Sequence, residues 1–145
     1  MAKKRHSKKK TQSFNWKKNW KWLSASVVVL ISSVYLFAVA DEKSRIEHDL
    51  SVVGNGKPTV VQIHDPGCPL CRQLKTVVDN VKSDFAGNVQ FKIADIKTSK
   101  GADFAKKYNV PHVTLLFFNA NGRHVNTLQG VSTKDQVKNA VGRLK

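Results

Sequence analysis

Thr59-Val60-Val61-Gln62-Ile63-His64-Asp65-Pro66-Gly67-Cys68-Pro69-Leu70-Cys71 is the stretch whose reading decides the fold. The β-rich run Thr59 to Ile63, bounded by Pro58 and by Asp65-Pro66-Gly67, suits a short buried central strand. It leads straight into both cysteines of the chain, two residues apart. From Cys68 onward apolar residues recur at Leu70, Cys71, Leu74, Val77, Val78, Val81 and Phe85, the spacing of a helix with one face on a core. That pattern puts Cys71 on the inward stripe and Cys68 at the exposed N-terminal end.

A strand-to-helix junction of this kind is where α/β proteins place reactive groups. Free N–H groups and the positive end of the helix dipole stabilise an anion, so Cys68 is expected to ionise more readily than an ordinary thiol, and the thiolate is the attacking species. Cys71, one turn on, is placed to resolve a mixed disulfide while shielded from solvent. Pro69 fits the first helical turn, where its missing N–H is no loss. The expected reaction is thiol–disulfide exchange with protein thiols and disulfides, in a direction the sequence leaves open, with no cofactor beyond the Cys68/Cys71 pair. Two rival readings of C-x-x-C are an inert staple and half of a metal site. A Cys2His2 set would need His64 and His112 beside the cysteines. His6, His48 and His124 show no partner pattern and read as solvated.

Outward from this stretch, Val89, Phe91 and Ile93 alternate as a second strand, and a short helix is expected around Gly101 to Tyr108. Pro111 interrupts the chain before a third strand, Val113 to Phe118. Asn119-Ala120-Asn121-Gly122 is a hairpin turn that returns the chain antiparallel into Arg123 to Gln129. Ser132 with Asp135 resembles a capping box for a last helix, which buries Val137, Ala140, Val141 and Leu144. The order β-α-β-α-β-β-α predicts an α/β fold, a mixed sheet with helices packed on it.

The N-terminal part differs in kind. Nine of the 25 Lys and Arg, and none of the ten acids, precede Asp41, so the first 40 residues carry +9. Residues 1–21 read as a basic cytoplasmic tail and Trp22 to Ala40 as an apolar segment of membrane-spanning type. With that segment in front, the basic run is better read as a positive-inside flank than as a nucleic-acid site, and no nucleic-acid partner is expected. Ala38-Val39-Ala40 followed by Asp41 is an A-x-A pattern, so cleavage after Ala40 is the alternative to an anchor. Trp16, Trp20 and Trp22 on one side, and Tyr35 and Phe37 on the other, resemble interfacial aromatic belts and favour the anchor. Residues 41–56 read as a polar linker with a short helix or strand around Ile46 to Val53, and 57–145 as one folded, monomeric domain. In a bacterium this arrangement crosses the inner membrane once, N-terminus inside and domain in the periplasm.

From Thr59 to Leu144 the sequence resembles the thioredoxin family. The β-run, C-P-L-C, Val110-Pro111 before the third strand, Asn121-Gly122, Gly130 and the final helix follow that family's order. Forty positions separate Cys71 from Pro111, which leaves no room for the helical insertion of the larger disulfide-oxidase relatives. The resemblance implies a thioredoxin-like sheet, a cis-Pro111 facing the cysteines, and a Val110 backbone available to pair with a substrate strand. There are departures. The tryptophan before the first cysteine is Gly67, Gln62 stands where the family has a buried aspartate, and His112 occupies a position where threonine is common. Gln62, Pro69 and His112 are thus candidate modulators of the pair. No Gly-Gly of the glutaredoxin kind follows the third strand, which disfavours glutathione as substrate. The same departures leave a second reading, a non-catalytic thioredoxin-like module that holds a metal ion or a partner protein.

Overall fold

The computed structural model describes residues 16–144, with side chains from residue 24. The basic run at residues 3–10 and His6 lie outside the described residues, as do the side chains of Trp16, Trp20 and Trp22. Residues up to Ala40 and those from Asp41 onward form two compact units.

Helix α1 spans Trp16–His48. Its stretch Ser24–His48 contains an 18-residue window with a mean hydropathy of 1.8 and is long and apolar enough to cross a membrane, a test that a signal sequence also passes. In the first unit Val27, Leu30, Ile31, Val34, Leu36 and Phe37 are all exposed, so this apolar surface has no core of its own to serve.

In the second unit the chain does not run as a free linker from residue 41. Helix α1 continues to His48, where Glu47 pairs with Lys82 at 2.8 Å and Lys92 donates to the Ile46 carbonyl. A single 3-10 turn, Leu50–Val52, follows. Then come β1 (Thr59–His64), α2 (Pro69–Lys82), β2 (Gln90–Asp95), α3 (Ser99–Lys107), β3 (Thr114–Phe118), β4 (His124–Gln129) and α4 (Lys134–Gly142). The order is the one the periodicities predict.

The sheet runs β2-β1-β3-β4. Strand β1 pairs parallel with β2 and antiparallel with β3, and the Asn121-Gly122 turn folds β4 back antiparallel on β3. All six residues of β1 are buried, because both faces of a central strand are covered. On one face Val60, Phe91, Leu115 and Phe117 pack against Leu74, Val78 and Val81 of α2 and Val137 and Val141 of α4. On the other, Val61, Ile63, Leu116 and Phe118 pack with Ala105 and Phe104 of α3 and with Tyr108, which caps its C-terminus. The side-chain period of two therefore sets Gln62 and His64 on the same side as Val60, the side that α2 covers.

Local details correct three expectations. The capping box at α4 is Thr133 with Gln136, one residue later than Ser132 with Asp135; neighbouring hydroxyls can each cap, and the hydrogen-bond register selects one. Leu70 is 53% exposed, because it sits in the first turn of α2, ahead of the part that crosses the sheet. Among the described residues no peptide bond is cis, so the Val110–Pro111 bond is trans rather than cis. Trans is the default even before proline. Here the chain changes direction through left-handed Asn109 (φ 51°) and Val113 (φ 62°) on either side of Pro111.

Candidate active site at the start of helix α2

Cys68 is the N-cap of α2, with extended backbone angles, and Pro69 is the first helical residue. Its Sγ accepts the N–H of Cys71 at 3.4 Å. A sulfur takes the place that the oxygen of serine or aspartate fills at most helix starts. The consequence is electrostatic. The Cys71 N–H, opposed by partial desolvation and reinforced by the Cys71 thiol and the Leu70 N–H, holds the Cys68 thiol below its ordinary range.

Cys71 is fully buried. Burial pushes its thiol up, against N–H groups of Asp65 and Val113 that favour the anion. Of these, the Asp65 N–H lies 3.4 Å from Cys71 Sγ. Both thiols are free, Cys68 half-buried and Cys71 buried.

Beneath the pair lies a neutral polar floor. Gln62, 2% exposed, donates through Nε2 to the Cys71 carbonyl at 2.9 Å and to His64 Nδ1 at 3.2 Å, while its Oε1 has no partner. His64 is itself buried, and burial, opposed by the carboxylate of Asp95, lowers its imidazole. A neutral ring is consistent with Nδ1 accepting from Gln62.

Not every expected residue is brought to the cysteines. Val110 packs with the α3 face of the sheet, and its N–H is donated to the Ala105 carbonyl at 3.2 Å. Pairing of Val110 with a substrate strand would therefore rely on its carbonyl. The residue of this loop that reaches Cys71 is Val113, two positions beyond Pro111. His112 is exposed, and its charge acts on Asp65. His64 and His112 do not join the cysteines in a metal-ligand set: among the described residues no three His, Cys, Asp or Glu side chains are grouped to hold an ion. Asp65, whose backbone contacts both cysteines, is not singled out by the sequence, where it reads only as part of the turn before Cys68. An acid three positions before a reactive cysteine was the available signal.

The thioredoxin family model matches residues 39–143, most of the chain and all of its sheet. The chain belongs to the thioredoxin family. It is similar to the chloroplastic M-type thioredoxin of Pisum sativum, 24% identical over 115 residues that cover 75% of this chain and 66% of the relative. A thioredoxin of Pyropia yezoensis is 27% identical over 93 residues, 63% of this chain and 84% of the relative. The chain spans between half and two thirds of the length of the first curated relatives it matches. Among solved structures, Fasciola hepatica thioredoxin superposes with a TM-score of 0.54 at 23% identity, covering 62% of this chain and 83% of that one. A thioredoxin-like protein from Clostridium perfringens gives 0.57 at 24% identity, covering 61% and 71%. At these identities the superpositions speak for the fold.

Proposed function

We propose that this thioredoxin-family protein is a thiol–disulfide oxidoreductase acting on protein disulfides through Cys68 and Cys71, held on the exported side of a membrane by residues 22–40. The observation that carries the reading is the capping geometry: Cys68 Sγ at the first turn of α2, accepting the N–H of a buried second cysteine. Such a site favours a thiolate where a substrate can reach it.

In the reducing direction the Cys68 thiolate attacks one sulfur of a substrate disulfide. A Cys68–substrate disulfide forms, and the other substrate sulfur leaves as a thiolate that takes up a proton. Cys71 then gives up its proton and attacks Cys68 Sγ. The Cys68–Cys71 disulfide forms, the second substrate sulfur departs and is protonated, and two electrons have passed from the pair to the substrate. Run backwards, the same steps donate a disulfide. Gln62, which carries no ionisable group, does not accept the Cys71 proton.

Insulin reduction by the full-length protein in detergent tests the activity. Turnover that disappears in Cys68→Ala supports the assignment, and turnover unchanged in that variant overturns it. Protease protection in sealed vesicles tests the topology: the domain is expected to be digested only from the exported face.

A further inference from the structure

The exchange steps leave one charged pair at the site without a role. Asp65 follows β1 directly and holds both cysteines through its backbone: its carbonyl accepts the Cys68 N–H at 3.0 Å, and its N–H points to Cys71 Sγ at 3.4 Å. The carboxylate folds back over the same turn. Oδ1 accepts the Gly67 N–H at 2.9 Å, and Oδ2 lies 3.6 Å from Lys97 Nζ.

Lys97 comes from the loop between β2 and α3, and its approach is built into the sheet. Strands β1 and β2 run parallel with His64 beside Asp95, and the Ile96 N–H donates to the His64 carbonyl at 3.0 Å. Asp95 fixes the loop further, accepting the Lys97 N–H at 2.8 Å and the Thr98 hydroxyl at 2.7 Å. Helix α3 then presses so close that a Cβ on Gly101 would clash with the Asp95 carbonyl oxygen.

A carboxylate in the turn that leads into a sulfur which must become negative opposes that change. The groups facing Asp65 are Lys97 from the β2–α3 loop, His112 from the loop before β3, and Gly67 and Cys68 from its own turn. Arg72 of α2 reaches the same turn and donates to the Pro66 carbonyl at 2.9 Å. The Gly67 N–H, opposed by partial desolvation and helped by Lys97 and His112, keeps the Asp65 carboxyl below its ordinary range, so it is ionised whenever Cys68 is.

We propose that Asp65 and Lys97 are positioning residues that set the poise of the cysteine pair: the carboxylate disfavours negative sulfur at Cys68 and so favours the disulfide, and Lys97 holds that effect in check. The proposal rests on the exchange reading above. It gives the pair a lever on direction, because whatever stabilises the Cys68 thiolate stabilises the reduced form and makes the couple more oxidising.

The test is the pH dependence of iodoacetamide alkylation of Cys68 in a Cys71→Ser background, together with the equilibrium of the intact pair against a glutathione buffer, both on the full-length protein. Asp65→Asn keeps an oxygen for the Gly67 N–H and removes only the charge. It is expected to move the alkylation midpoint to lower pH and to shift the glutathione equilibrium toward the dithiol by about two- to fivefold, the range open to a partly solvated charge pair. Lys97→Met is expected to move both readouts the opposite way. A purely structural role would shift both variants in one direction, and that result, or no shift in either, overturns the proposal. Alkylation needs no substrate, so it judges the charge pair even if insulin reduction fails. Normal insulin reduction with unmoved alkylation sinks the charge pair alone.

Discussion

The side-chain amide of Gln62 donates to the backbone carbonyl of Cys71 at 2.9 Å, so a neutral group underlies the buried cysteine. The same amide leaves its Oε1 buried without a partner. Losing a hydrogen bond and losing an orphaned acceptor have opposite signs, each of order 1 kcal/mol. Gln62→Leu, which keeps the volume, is therefore expected to unfold within about 1 kcal/mol of the native protein, whereas Gln62→Ala opens a cavity and costs about 2 kcal/mol or more. Urea denaturation checks both. Equal losses would show that the hydrogen bond, not the packing, is what matters at this position.

His64 makes stability depend on pH in a definite direction. Burial is the largest influence on its ring, and the folded-state value lies below the unfolded one, which is about 6.5. Between the two values the unfolded chain binds more protons than the folded one, so stability falls as pH drops through that window and levels off above it. His64→Gln should flatten this slope. The measurement is the urea midpoint from pH 5 to 8 in both proteins, and identical slopes would remove His64 from the account.

Val113 holds a β-branched side chain at φ 62° while packed in the core under Cys71. Alanine normally outranks glycine in folded structure, yet a left-handed residue with a Cβ carries strain of about 1–2 kcal/mol. Val113→Gly is thus expected to be at least as stable as Val113→Ala, although both lose buried apolar surface. Calorimetric melting of the two variants decides, and alanine coming out clearly ahead would contradict the backbone argument.

Legibility in the sequence followed the range of the forces involved. Strand β1, helix α2 and the Asn121-Gly122 hairpin were readable because periodicity and turn chemistry are local, and the place of Cys68 at the exposed start of α2 followed from the same periodicity. What escaped depends on tertiary placement. Gln62 and His64 share a face by the strand period alone, but that face comes to lie against Cys71 only once α2 is laid across β1, and Lys97 approaches Asp65 only because two parallel strands end side by side. The segment after Ala40 looked like a linker for a similar reason: its polar residues, among them Glu47, find partners in Lys82 and Lys75 from distant parts of the chain. At Val110, whose backbone was expected to be available to a substrate strand, the N–H is donated to the Ala105 carbonyl of α3, a bond that no pattern in residues 105–111 announces.

The central claim is that Cys68 attacks and Cys71 resolves. The most direct test is capture of a mixed disulfide with a disulfide-containing protein such as insulin, on the full-length chain, resolved by non-reducing electrophoresis. Cys71→Ser is predicted to accumulate a covalent adduct at Cys68 that dithiothreitol releases, while Cys68→Ser accumulates none. Adduct formation by Cys68→Ser and not by Cys71→Ser would contradict the account.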